Sequence, residues 1–386
     1  MSNTERLARG GFAFLLAASV ASSIGGLPFN TMPILLGAFA DQLKLGPAEL
    51  GTLGSACTGG YLLSTLLGPL WVDRAPWRLA AIVGAVATAA TLLWSAGAGG
   101  VPFLPFAAFG FAAGLMHSLG MRIVGEGADK ERAFGVRLFT ELVLIATVLF
   151  FLPAALASGG LMGGAQLLAV AALVMGLSAF MLPRGPVAAD DAVQQAASGP
   201  TGSASVVVGR IALGIFVLFA CGQVALWMFL ERMAQDIGAD AAQMGLLFSV
   251  LKVVGGLSAA LVAALGDRLG DRLPHLLVFI TLCIGVALLA ARPSFMVFAL
   301  GAWIWEAAFT IGCVFQTAAI AKLDSGNKLV VLVPAAFAIS AFVGPALGGM
   351  MAATGFAPLL ALAVACAAIP AVAYRLFAGR MAARGA

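Results

Sequence analysis

Charge is the scarcest commodity in this chain: Asp, Glu, Lys and Arg supply 10% of its 386 residues, against about 25% in soluble globular proteins. Water is therefore excluded as its main solvent, and a hydrophobic content of 62% places the chain in a membrane. The five cysteines, Cys57, Cys221, Cys283, Cys313 and Cys366, all lie in apolar segments with no C-x-x-C spacing. That pattern excludes a disulfide framework and a thiolate metal site and leaves them as small packing residues. No His/Asp/Glu cluster suggests a metal, and no cofactor motif is present. Without a Gly-x-x-x-x-Gly-Lys-Ser/Thr loop, ATP hydrolysis has no support. No set of nucleophile, base and orienting group points to an enzyme. The net charge of +4 reflects membrane topology, not a nucleic-acid partner.

What the chain has instead is a near-continuous series of apolar stretches of about 20 residues, the length that crosses a hydrocarbon core roughly 30 Å thick. They read as twelve helices over 11–39, 48–71, 78–99, 101–121, 134–156, 160–183, 208–233, 241–264, 273–291, 294–319, 329–352 and 355–376. The first follows Arg6 and Arg9 as a signal peptide would, but it is too long and lacks a cleavage site, so it is read as helix 1. With the N-terminus inside, 17 of the 21 Lys and Arg residues fall in cytoplasmic segments, while Lys44, Arg232 and Arg292 fall outside and Lys252 lies in mid-helix. This bias predicts a multi-pass inner-membrane protein with both termini in the cytoplasm.

The longest polar interval, 184–207, carries Asp190, Asp191 and a Ser/Gly/Pro cluster, the composition of a flexible linker. It separates an N-terminal six-helix bundle, 1–183, from a C-terminal one, 208–386. An internal repeat joins the halves at a constant offset. Ala48-Glu49-Leu50-Gly51-Thr52-Leu53-Gly54-Ser55 corresponds to Ala242-Gln243-Met244-Gly245-Leu246-Leu247-Phe248-Ser249, and Asp73-Arg74 to Asp267-Arg268. A duplicated six-helix unit requires this relation between helices 2 and 8.

The two loops Asp73-Arg74-Ala75-Pro76-Trp77-Arg78 and Asp267-Arg268-Leu269-Gly270-Asp271-Arg272 carry a resemblance to the major facilitator superfamily, whose loops between helices 2 and 3 of each half run roughly G-x-x-x-D-R-x-G-R-K. Glu131-Arg132-Ala133-Phe134-Gly135 also resembles that family's loop between helices 4 and 5. Pro76, Trp77, Asp271, Pro69 and Ala263 depart from the pattern. The resemblance spans nearly the whole chain and implies an all-α fold of two pseudo-symmetric six-helix bundles that work by alternating access. It also implies that Asp73, Arg74, Arg78, Asp267, Arg268 and Arg272 latch the cytoplasmic side, with Asp73 meeting the start of helix 11 and Asp267 the start of helix 5. Physically, each Asp ends its own helix, where the macrodipole disfavours an anion, so each needs a positive partner. Helix 4 lacks the outer arginine of many proton-coupled members. Helix 5 lacks the Gly-Pro signature of drug/proton antiporters, although Gly344-Pro345-Ala346-Leu347-Gly348-Gly349 places a similar run in helix 11.

Ionisable residues at membrane depth are costly and mark functional candidates. Glu306 lies mid-helix in Trp303-Ile304-Trp305-Glu306 and, with Glu231 and Glu141, is a candidate for proton coupling. Lys252 in helix 8 reads either as an anion site or as a fixed ion pair with Glu306 or Glu231. Gln223, Trp227 and Glu231 share one face of helix 7, while simple interfacial solvation is expected of Arg232. Arg137 and Glu141 stand one turn apart on helix 5, as a local ion pair or as cavity lining. Asn30, between Pro28 and Pro33, supplies a neutral hydrogen-bonding group in an interrupted helix 1. Trp303 completes the substrate-binding candidates, and His117 on helix 4 is expected to be hydrogen-bonded structure, with proton binding as its alternative. The glycine pairs Gly59-Gly60 and Gly255-Gly256 are assigned to helix packing.

The reading is a monomeric secondary transporter, with the bilayer, protons and a small solute as its partners. A small organic anion held by Lys252 and Arg137 is the favoured substrate. The alternatives are proton-driven efflux of lipophilic or cationic compounds through Glu306, Glu231 and the aromatics, or a non-transporting receptor of the same fold.

Overall fold

A computed structural model describes residues 12–100, 102–124, 130–185, 203–265, 273–323 and 332–382. The described residues form α1 (Phe12–Leu43), α2 (Pro47–Trp71), α3 (Trp77–Gly97), α4 (Phe103–Val124), α5 (130–159) and α6 (161–176). They continue with α7 (Ser203–Asp236), α8 (Ala241–Leu265), α9 (Leu273–Ala291), α10 (Phe295–Leu323), α11 (Val333–Ala352) and α12 (Phe356–Ala382). No strand occurs among them. Ten stretches are long and apolar enough to cross a membrane. One of these, Val136–Met181, contains both α5 and α6, which meet at Gly160 with φ +58°. The Gly-, Ser- and Thr-rich α2 is not among the ten but has 25 residues, enough to span by length. The set is compatible with the twelve spans expected.

Local chemistry fixes where the helices start and bend. Pro28 has no N–H to give the carbonyl of Ile24, and the N–H of Leu27 takes that acceptor instead, so α1 tightens into a 3₁₀ turn at Ile24–Gly26. The break thus falls one turn before the prolines that cause it. At the head of α2 the Glu49 carboxylate accepts from the N–H of Gly46 at 2.7 Å. At the head of α8 the Gln243 side chain accepts from the N–H of Asp240 at 3.0 Å, and Asp240 returns the bond to the N–H of Gln243 at 2.8 Å. These positions are related by the repeat offset, so the duplication extends to capping chemistry.

The described residues divide into two compact units, those within 1–188 together with 240–253, and those within 189–239 together with 254–386. In the first, α4 packs against α2 and α3, and α1 against α5 and α4. Glycines set the closest approach. A Cβ on Gly110 would lie 1.8 Å from the Cys57 carbonyl oxygen, and one on Gly60 2.0 Å from that of Ala107, so α2 and α4 touch backbone to backbone. In the second unit α7 packs on α11, α12 and α10, and α9 on α10. Gly344 and Gly348 bring α11 onto the α7 backbone, and Gly285 faces Gly301 across α9 and α10. Leu66 and Leu70 in α2, Phe139 in α5 and Leu257 in α8 are exposed. An apolar exterior of this kind is suited to lipid.

Candidate functional site

In the first unit a polar cluster gathers around the 3₁₀ turn of α1. Arg137 of α5 donates from Nη2 to Glu141 Oε2 at 2.5 Å and from Nε to Ser22 Oγ at 2.9 Å. Both side chains of this ion pair are largely buried, 12% and 16% exposed, so it differs in kind from a surface i,i+4 pair. The other carboxylate oxygen of Glu141 lies only 2.5 Å from where a Cβ on Gly26 would stand. Asn30 Nδ2 donates to the carbonyl of Gly26 at 2.8 Å. Tyr61 of α2 and His117 of α4 complete the cluster, their rings 5.7 Å apart. Lys252, 6% exposed in α8, lies within electrostatic reach of Glu141. The structure thus brings Arg137, Glu141, Asn30 and Lys252 into one unit. His117, expected to be hydrogen-bonded, has a buried Nδ1 with no partner.

At the end of this unit where α2 turns into α3, Asp73 Oδ1 accepts from Arg122 Nε of α4 at 2.6 Å. Arg122 also lies over the ring of the buried Trp77 at 5.6 Å. Arg74, the nearest candidate partner in sequence, donates to the Leu70 carbonyl of its own helix. Arg78 donates to the Leu182 carbonyl at 2.8 Å and 3.1 Å. Asp73 thus finds its required cation one helix over, where Arg122 sits in the last turn of α4. Asp267, Arg268 and Arg272 lie outside the described residues.

In the second unit Gln223 bridges helices. Its amide nitrogen Nε2 donates to the Ala363 carbonyl and its Oε1 accepts from Trp305 Nε1, each at 2.9 Å. Trp227 stacks on Trp305 at 6.4 Å and 14°, and Trp305 on Phe309 at 5.8 Å and 10°. Trp303, the second tryptophan among the substrate-binding candidates, is partly exposed, whereas Trp305 is fully buried within this stack. The signal available was its spacing of one turn from Phe309. Glu306 is 7% exposed, with Oε1 2.8 Å from where a Cβ on Gly255 would stand. Gly255, read from sequence as generic packing, is the berth of that carboxylate.

Glu231, 6% exposed, accepts from Arg232 Nε at 2.8 Å. Arg232 is therefore paired, not simply solvated at an interface, because desolvation of Glu231 demands a countercharge. Arg292 bonds Asp236 at 3.0 Å and lies over Phe356 at 5.4 Å, tying together the C-terminal ends of α7 and α9 and the start of α12. Among the described residues no three His, Cys, Asp or Glu side chains group as a metal would need.

No family model matches the sequence, and no curated protein does so either. Solved structures do match in fold. A D-xylose-proton symporter aligns with TM-score 0.71 at 18% identity, over 95% of this chain and 97% of that one. The nucleoside transporter NupG aligns with TM-score 0.72 at 15% identity, over 96% and 99%. A bacterial homologue of the human lysosomal transporter Spinster, inward-facing and unoccupied, aligns with TM-score 0.70 at 14% identity, over 95% and 96%. Apolar helices of spanning length and this likeness together make the chain a multi-pass membrane protein with the fold of the major facilitator transporters.

Proposed function

We propose that this protein is a secondary active transporter that carries a small organic anion across the inner membrane together with protons, by alternating access. The observation that supports it is the buried Arg137–Glu141 pair. Removing one partner of such a pair leaves an uncompensated charge, at a cost of about 3–5 kcal/mol. Protonation of Glu141 alone would expose Arg137 to that cost, and an arriving substrate carboxylate would relieve it. Proton and anion are then favoured together and disfavoured singly, which is the thermodynamic content of coupling. Lys252, within electrostatic reach of the same carboxylate, adds to the attraction for an anion.

The same reading takes residues 1–183 and 208–386 as two bundles joined by a cytoplasmic linker, with both termini inside and the chain acting as a monomer. It gives the cytoplasmic gate to Asp73, Arg74 and Arg78 with Asp267, Arg268 and Arg272. Glu306 and Glu231 are the further candidates for proton binding. Substrate contacts fall to Asn30, Gln223, Trp227 and Trp303 besides the two cations. A second reading, efflux of lipophilic cations, draws on the Trp227–Trp305–Phe309 stack one residue from Glu306.

A thermal-shift screen of the purified protein against carboxylates, sugars and lipophilic cations separates the readings, because a ligand of the folded state raises its stability by RT ln(1 + [L]/Kd). Carboxylates are expected to stabilise the wild type and to fail with Arg137→Gln. In proteoliposomes the stabilising carboxylate should then enter with protons. Stabilisation by lipophilic cations alone, lost in Glu306→Gln, would replace the anion reading with efflux. Ligand binding without flux would indicate a receptor.

A further inference from the structure

The 3₁₀ turn of α1 is pressed between the α4 backbone at His117 and the Glu141 carboxylate of α5. A Cβ on Gly25 would lie 2.7 Å from the Cβ of His117, and one on Gly26 2.5 Å from Glu141 Oε1. Adjacent Cα atoms are about 3.8 Å apart, so His117 on α4 and the Arg137–Glu141 pair on α5 flank a single turn. Only glycine permits this, since a side chain at Gly25 would run into the α4 backbone at His117 and one at Gly26 would displace the Glu141 carboxylate. Gly120 brings α4 onto the same stretch, where a Cβ would meet Ser22, the residue that accepts from Arg137.

Ser22, Asn30, Arg137 and Glu141 each have a hydrogen-bond partner in this cluster. His117 Nδ1 is buried and has none. A buried, unpaired ring nitrogen on a partly exposed side chain carries a desolvation cost, and such groups in native proteins call for an explanation.

We propose that His117 Nδ1 is the subsite for a hydroxyl group of the substrate, so that the anion carried is a hydroxylated carboxylate. This rests on the anion reading above, with Arg137 holding the carboxylate and His117 a hydroxyl a few atoms away. A hydroxyl is the partner that suits the site, because it both donates and accepts. It therefore satisfies Nδ1 in either neutral tautomer, whereas a carbonyl requires the protonated nitrogen. An ammonium substituent would be set against the Arg137 guanidinium. A site that offers a buried polar atom discriminates against the analogue lacking its partner, since that ligand leaves the atom unpaired.

Propionate and lactate differ by one hydroxyl and serve as the probe pair, with affinities measured by calorimetry on the full-length protein in detergent. The wild type is expected to prefer lactate by several-fold to about tenfold, the range of one neutral hydrogen bond. In His117→Phe the ratio of the two affinities should fall to about one. In His117→Asn, whose amide places a polar atom close to the position of Nδ1, the preference should survive. Equal wild-type affinities for the two acids, or a preference unchanged in His117→Phe, overturn the hydroxyl subsite and leave the anion reading standing. Failure of both acids and of longer hydroxylated acids such as gluconate to bind at all overturns the anion reading itself.

Discussion

At the scale of single residues, the structure separates buried polar groups that are matched from those that are not. Gln316 of α10 is fully buried, and neither end of its amide has a hydrogen-bond partner. Each such atom costs about 1–3 kcal/mol. Gln316→Met keeps the volume and removes the polar atoms, so it is expected to raise stability by about 1–2 kcal/mol, read as a higher melting temperature in detergent. An unchanged or lower value would mean that this amide is satisfied in the membrane. Glu306 is a different case. A Cβ on Gly255 would crowd Oε1 at 2.8 Å, but the crowded atom is the far end of a flexible side chain, which can yield where a backbone could not. Gly255→Ala should therefore shift stability by under about 1 kcal/mol while weakening any coupling that depends on where the carboxylate sits. A transport assay at two pH values beside a melting curve checks both halves of that expectation. The ionisable residues were legible in sequence because charge is rare here and each one stands out against apolar neighbours. Their berths were not, since Gly26 and Gly255 look like any other glycine until the facing helix is in place. For the same reason sequence does not separate Trp303 from Trp305: the two share a segment, and only tertiary packing shows that Trp305 meets Gln223.

Among whole elements, hydropathy gave the helices within a few residues, from 241–264 against Ala241–Leu265 to 273–291 against Leu273–Ala291. Sequence points to the prolines as the interruption of α1, and the break falls at Ile24–Gly26 because a proline removes the hydrogen bond owed to the carbonyl one turn earlier. Sequence also left open how closely helices approach, and glycine decides that. Gly110 and Gly60 allow α2 and α4 to meet at backbone distance. Gly110→Ala would drive a methyl group to 1.8 Å from the Cys57 carbonyl oxygen, and neither backbone can yield without parting the helices. A loss of about 3 kcal/mol or more is expected, seen as a much lower melting temperature or as failure to purify folded protein. Gly214 on α7 is the control, with nothing within 4 Å of its would-be Cβ. There alanine should be neutral or stabilising by up to about 1 kcal/mol, the helix-propensity difference. If the two substitutions behave alike, close glycine contact does not hold α2 to α4.

On the scale of the whole molecule, the repeat and the balance of buried charge bear on how a carrier is driven. Glu141 in one unit and Glu306 in the other are both buried, yet their settings differ. Glu141 is bonded to Arg137 at 2.5 Å, while Glu306 rests against Gly255 beside an aromatic stack. A carrier coupled to protons through one carboxylate must lose that proton before it returns empty, whereas exchange of one loaded form for another never requires deprotonation. Glu141→Gln imitates the protonated acid permanently. It should abolish accumulation of a carboxylate substrate driven by a pH gradient, yet preserve exchange between labelled substrate outside and unlabelled substrate inside proteoliposomes. Glu306→Gln, if Glu306 is a structural acid, should leave both activities intact or lower both in proportion to the amount of folded protein. The reverse pattern would move the coupling site to the second unit, and loss of exchange in Glu141→Gln would show that the carboxylate holds Arg137 in shape and does not carry the proton. Uptake that ignores the pH gradient in the wild type and in both variants would remove protons from the mechanism and leave the buried acids as parts of the architecture alone.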